Sequence, residues 1–120
     1  MEQPFLIITK DGSRKVVSPR EIVYVTVDAN YIKLKLVNNR TIPARYSLTE
    51  FKEHLPSQDF IRTHRNYIVS IQHIDSVGRD ISVEIDGVKT KEGEITMKNG
   101  DVVPLSERRK KDVFACFKQL

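Results

Sequence analysis

The sequence predicts a mostly β fold with one central and one C-terminal helix. Three observations carry that reading. Tyr31 to Val37 alternates, with Ile32, Leu34 and Leu36 to one side and Lys33 and Lys35 to the other, which is the period of a half-buried strand. Short apolar runs rich in β-branched residues are cut by turn signals along most of the chain. One segment, Ser47-Leu48-Thr49-Glu50, has the form of a capping box, in which the Ser oxygen accepts from the amide three residues on and the Glu carboxylate reaches back.

Taken in order, Phe5-Leu6-Ile7-Ile8 is apolar and β-favouring, Asp11-Gly12 supplies turn chemistry, and Val16-Val17 resumes the strand. Ser18-Pro19-Arg20-Glu21 has the form of a single helical turn, with Ser as cap and Pro at the first helical position. Ile22 to Val27 is a strand, Asp28-Ala29-Asn30 breaks it, Asn38-Asn39 closes the turn after Val37, and Arg40 to Ala44 returns. After the capping box, Leu48, Phe51 and Leu55 share one helical face, and Pro56 ends the helix. Asn99-Gly100 between Ile95-Thr96-Met97 and Val102-Val103 is a hairpin signal. Asp86-Gly87 and Glu92-Gly93 predict turns flanking another short strand pair. The second helix is expected from about Ser106 to the C-terminus, with Val113, Phe117 and Leu120 on one stripe and Cys116 packed on its apolar face.

Composition limits the function. At 120 residues, 39% hydrophobic and 30% charged, the chain suits one globular domain. No apolar run approaches the roughly 18 residues that span a bilayer, and no basic–apolar–small segment opens it as a secretory signal would. The single cysteine, Cys116, rules out an internal disulfide and fits a reducing compartment, so a cytoplasmic location is expected. The net charge of +4 and sequence pI of about 9.3 suit an anionic partner.

Enzymatic chemistry is not expected. His54, His64 and His73 do not stand at metal-ligand spacings, and one cysteine adds no second ligand, so neither a metal nor another cofactor is predicted. There is no nucleophile elbow, phosphate-binding loop or dinucleotide fingerprint. The segment from Phe60 to Ser70 instead sets Arg62, His64, Arg65 and Asn66 between two apolar clusters. Arg can grip guanine and Asn adenine with paired hydrogen bonds, but a polar turn between core strands has the same composition, and the residue types alone leave both readings open.

The ordered pattern is more specific. Phe60-x-Arg62-x-His64-Arg65-Asn66-Tyr67-Ile68-Val69 closely resembles the LytTR signature F-x-R-x-H-x-S-Y-I-V-N. Ile22-Val23-Tyr24-Val25 resembles that family's first strand, and Leu48-x-x-Phe51-x-x-x-Leu55 its central helix. Asn99-Gly100 with Val103-Pro104-Leu105-Ser106 resembles its closing N-G-x-x-x-P-V-S-R. The resemblance covers residues 22–117 of a single domain, 1–120, with 1–21 as an added hairpin and short turn.

The resemblance implies an elongated stack of small antiparallel β-sheets. It implies a cytoplasmic transcription-regulator output domain of a bacterial two-component response regulator. Three loops would enter the grooves of double-stranded DNA, often at two repeated promoter half-sites, where a homodimer could sit. Carried over residue by residue, the first loop gives Asn30 and Tyr31, the second Arg65 and Asn66, and the third Arg108, with Arg109 and Lys110 nearby. Arg62 and His64 would orient the second loop. Asn66 stands where the family usually has Ser, and Ser70 where it has Asn; both keep hydrogen-bonding capacity. Glu107 follows Ser106 where Arg is common; its carboxylate would repel phosphate unless it pairs with Arg109 or Lys110 or accepts from a cytosine amine. Residues 78–94 exceed the usual link and are expected to form an added surface hairpin. The rival reading keeps the fold as a protein-interaction module without DNA binding. RNA recognition fits less well, because it uses exposed stacking aromatics and the nine aromatics here (five Phe and four Tyr) stand mostly at core-like positions.

Overall fold

The computed structural model describes residues 3–78 and 81–120. In chain order it contains β1 (Phe5–Ile8), β2 (Arg14–Val17), a 3-10 turn at Pro19–Glu21, β3 (Ile22–Asp28), β4 (Tyr31–Leu36), β5 (Thr41–Ala44) and α1 (Leu48–His54). There follow β6 (Phe60–His64), β7 (Tyr67–Ser70), a 3-10 turn at Ile71–His73, β8 (Ile74–Val77), β9 (Ile81–Ile85), β10 (Val88–Met97), β11 (Val102–Ser106), a 3-10 turn at Glu107–Arg109 and α2 (Lys110–Phe114). The fold is mostly β, as expected.

The strands form three antiparallel sheets: the hairpin β1-β2, a five-stranded sheet in the order β5-β4-β3-β7-β6, and a second sheet β11-β10-β8 in which β9 also pairs with β10. They stack with the five-stranded sheet in the middle. One of its faces meets β1-β2 and α1 over a core that includes Ile7, Val25, Leu34, Phe51 and Ile68. The other meets the second sheet and α2 over Val23, Val69, Ile95, Leu105 and Val113. The central strands β3 and β7 therefore supply both cores. This is why Ile22 to Val27 reads as a nearly continuous apolar run, whereas β4, with one face turned outward, alternates.

The turns follow their chemistry. Ala29 (φ 56°) joins β3 to β4, and Asn39 (φ 65°) joins β4 to β5. Asp86 and Gly87 both take positive φ, 52° and 79°, the signature of a type I′ hairpin turn, here between β9 and β10. The α1 helix starts as the capping residues predict, with the Glu50 amide donating to Ser47 Oγ at 3.0 Å. The carboxylate arm of a capping box occurs instead at the first 3-10 turn, where the Ser18 amide donates to Glu21 Oε1 at 2.9 Å.

Three expectations fail. Glu92-Gly93 is not a turn: both lie inside β10, paired with Ser106 and Leu105 of β11. Along its other edge β10 pairs first with β9 and then with β8, so its backbone groups are taken up without a reversal. The second helix is also shorter than expected. It ends at Phe114, and its one buried residue is Val113, because no layer among the described residues lies beyond it to cover a longer apolar stripe. Phe117 is 41% exposed and Leu120 fully so. Cys116 is exposed rather than packed.

Polar contacts also cross between the layers. The Tyr24 hydroxyl on β3 donates to Asp101 Oδ2, 3.0 Å away in the turn between β10 and β11. Burial, and then this bond to a carboxylate, push the phenol up to about 12. The folded form thus holds the proton more tightly than the unfolded chain, whose tyrosine titrates near 10. The resulting stability is present below pH 10 and is lost as pH rises toward 12. Tyr24→Phe is expected to cost about 1 kcal/mol near neutrality and to flatten the fall in urea-unfolding stability between pH 10 and 12. An unchanged alkaline profile would contradict this linkage.

Among the described residues no helix is long and apolar enough to cross a membrane.

Candidate nucleic-acid interface

Hairpin geometry gathers the candidate residues at one end of the five-stranded sheet. Asp28 pairs with Tyr31 across the β3–β4 turn, which puts Asn30 and Tyr31 at the C-terminal end of β3. Because β7 is antiparallel to β3, with Thr26 opposite Tyr67, the β6–β7 turn falls at the same end. That turn consists of Arg65 and Asn66. The Val27 amide donates to the Asn66 carbonyl at 3.2 Å and links the two turns directly. Asn30 and Arg65 are exposed, while Tyr31 and Asn66 are half-buried.

The second turn is held from beneath. Arg62 donates through one terminal nitrogen to the Arg65 carbonyl and through the other to Thr49 Oγ1, 3.2 Å away in the first turn of α1. Burial, and then the nearby Arg109, push the Arg62 guanidinium below its usual value, although an arginine remains cationic throughout the ordinary pH range. His64 Nδ1 accepts from the Asn66 amide at 3.2 Å, which fixes that nitrogen as unprotonated in this geometry. The His64 ring meets Tyr67 edge-on at 6.0 Å. A bulge between Arg62 and His64 displaces the intervening, fully buried Thr63. Bulges of this kind re-aim side chains and increase local twist. One terminal nitrogen of Arg62 and Nδ1 of His64 thus hold the backbone of the turn, the other terminal nitrogen ties Arg62 to α1, and Arg65 is left exposed.

The third candidate segment adjoins the second. His64, Arg65, Ser106, Arg108 and Arg109 line one cleft of about 150 Å³. Arg108 is exposed, whereas Arg109 and Lys110 are half-buried. Glu107 is paired: its Oε2 lies 2.6 Å from Lys110 Nζ, one of the two arrangements under which its charge would not simply repel a phosphate. The candidates therefore form a row across the sheet end, from Asn30 and Tyr31 through Arg65 and Asn66 to Arg108, Arg109 and Lys110.

Sequence reasoning missed three residues here. Thr49 read only as part of a helix cap, yet it anchors Arg62. Lys10, just before the Asp11-Gly12 turn, places Nζ 4.6 Å from the centre of the Tyr31 ring. Arg45 Nε donates to the Lys10 carbonyl at 2.9 Å. No local signal marks the last two, because β1 reaches β5 only through tertiary pairing, with Thr9 opposite Ala44. Among the described residues no group of three or more histidine, cysteine or carboxylate side chains is placed to hold a metal.

Residues 12–118 match the model of the LytTr DNA-binding domain family. The chain is 26% identical over 72 residues to the sensory transduction protein LytT of Oceanobacillus iheyensis; the match covers 60% of this chain and 29% of that protein. The fold is similar to the LytTr DNA-binding domain of a putative methyl-accepting/DNA response regulator from Bacillus cereus, with a TM-score of 0.75, 24% identity and 97% of both chains covered.

Proposed function

Since the chain belongs to the LytTr DNA-binding domain family, we propose that it is the output domain of a cytoplasmic bacterial transcription regulator that reads repeated half-sites in promoter DNA. The observation that carries this reading is the row of exposed and half-exposed donors at one sheet end, with the backbone of the middle turn pinned by Arg62 and His64 and Arg62 anchored in turn by Thr49. Preorganised donors on rigid strands lose little freedom on binding. Arg65 and Asn66 serve as base readers, Asn30 and Tyr31 as the contact of the adjoining groove, and Arg108, with Arg109 and Lys110 nearby, as the contact at the other end. Arg62 and His64 orient the middle turn. The chain acts as one domain, with 1–21 and 78–94 as additions to the family core of 22–117, and two copies occupy the two half-sites as a homodimer. Its role is binding rather than catalysis.

Selection from a random DNA library tests the reading: an enriched pair of spaced repeats is expected, and no enrichment would refute it. Salt titration of the selected duplex then tests the third segment. Arg108→Ala should weaken binding and make the log–log salt dependence shallower by about 0.9 if one phosphate contact is lost. Glu107→Gln, which removes the negative charge of the carboxylate 2.6 Å from Lys110 Nζ, should leave binding unchanged or tighten it. Weakening at one base position would instead make Glu107 itself a reader.

A further inference from the structure

The row of donors does not stop at Tyr31. We propose that Lys10 and Arg45 form a fourth, sequence-independent contact that grips the DNA backbone beyond the first loop; this rests on the DNA-binding reading above.

The placement follows from pairing. Ala44, at the end of β5, stands opposite Ile32 of β4, so Arg45 leaves β5 at the end of the sheet that carries the Asn30-Tyr31 turn. Thr9 pairs with Ala44, the Lys10 amide donates to the Pro43 carbonyl at 2.9 Å and the Arg45 amide to the Ile8 carbonyl at 3.1 Å. The β1–β2 turn is thereby stitched to the outer edge of the sheet. With strands about 4.8 Å apart, the edge at β5 lies roughly 20 Å from β6. The addition therefore lengthens the row on the side opposite Arg108.

The side chains suit a phosphate. Lys10 and Arg45 are both exposed. Arg45 spends Nε on the Lys10 carbonyl, while its terminal nitrogens make no hydrogen bond among the described residues. They lie under Gly12, 3.7 and 3.9 Å from where a Cβ would stand, and Gly12 has φ +89°. A Cβ there would make only ordinary van der Waals contact with the guanidinium, and glycine takes a conformation that side chains disfavour. The guanidinium is thus fixed at one nitrogen with its planar fork available, the geometry that suits phosphate. Lys10 rests on Tyr31, a residue of the first contact loop, so the ammonium and the loop present themselves together.

The adjacent carboxylates are engaged elsewhere. Asp11 accepts from Thr9 Oγ1 and from the amide and hydroxyl of Ser13, and these bonds hold it far below the usual carboxylate range. Asp28, beside the first loop, pairs with Lys33 at 3.1 Å. Neither carboxylate occupies Lys10 or Arg45.

The test compares wild type, Lys10→Gln/Arg45→Gln and the charge-keeping Lys10→Arg/Arg45→Lys on the selected duplex, with the full flank and with the flank beyond the first-loop end removed. On the full duplex the neutral pair should lower the salt slope by about 1.8 per bound copy, corresponding to two phosphates. The loss of affinity should be equal on selected and random DNA, and the charge-keeping pair should restore most of the slope. Removing the flank should reproduce the loss in wild type and change the neutral variant little. An unchanged slope in the neutral variant, or equal sensitivity of both proteins to the shortened flank, would overturn the fourth contact while leaving the three loops standing. Absence of salt-dependent binding by wild type would overturn both readings together.

Discussion

Arg65→Ala is expected to weaken binding to the selected site by roughly 5- to 150-fold, about 1–3 kcal/mol, and to relax preference at one base pair. The substitution is clean because the turn does not depend on this side chain. Its carbonyl is held by Arg62, and the next amide is held by His64. The backbone should therefore keep its course when the guanidinium is removed. Arg65→Lys should recover little, since one ammonium cannot reproduce two parallel donors. The decisive comparison is with random DNA, measured at one salt concentration. A larger loss on the selected site makes Arg65 a base reader; equal losses on both make it a phosphate contact and remove specificity from the middle turn.

What was legible in the sequence was local. Alternation in β4, the doubly buried run of β3, the Asn99-Gly100 turn and the Ser47 cap each reflect a backbone preference contained within a few residues. The middle turn was legible for the same reason, because Arg62, His64, Arg65 and Asn66 lie in a single hairpin whose pattern matches a family signature. The failures were of two kinds. At Glu92-Gly93 a turn-forming dipeptide was overridden by ladder partners on both edges of β10. At the C-terminus the spacing of Val113, Phe117 and Leu120 suggested a helical stripe, but only Val113 finds a covering layer, and a helix without tertiary burial is marginal at that length.

Non-local assembly hid the rest of the site. Lys10 and Arg45 are 35 positions apart and meet only because β1 docks on β5. Thr49 and Arg62 are 13 apart and meet because α1 packs beside the β6–β7 hairpin. The pairing of Glu107 with Lys110 is the intermediate case. Its three-residue spacing made a contact foreseeable, but only the 3-10 turn running into α2 selects Lys110 over Arg109.

The largest effect on stability is expected at Phe51, and through it an effect on the interface. Phe51 is 2% exposed and is the hub of an aromatic cluster, 6.2 Å edge-on from Phe5 and 5.6 Å from Tyr46. It joins α1 to the N-terminal hairpin and to the five-stranded sheet. Phe51→Ala should cost about 3–5 kcal/mol in urea unfolding, from lost burial and the cavity left behind. That is a large share of the 5–15 kcal/mol typical of a whole domain. Phe51→Leu, which keeps most of the volume, should cost clearly less. The consequence for DNA follows from Thr49, two residues earlier on the same short helix, which anchors the Arg62 that holds the Arg65 carbonyl. If α1 is pinned chiefly by Phe51, the alanine variant should lose affinity for the selected site even under conditions where it is fully folded. The loss should exceed that on random DNA, because a loosened turn misplaces base readers more than it weakens diffuse phosphate attraction. Full affinity in a folded, destabilised Phe51→Ala protein would instead show that the β6–β7 hairpin holds its turn without support from α1.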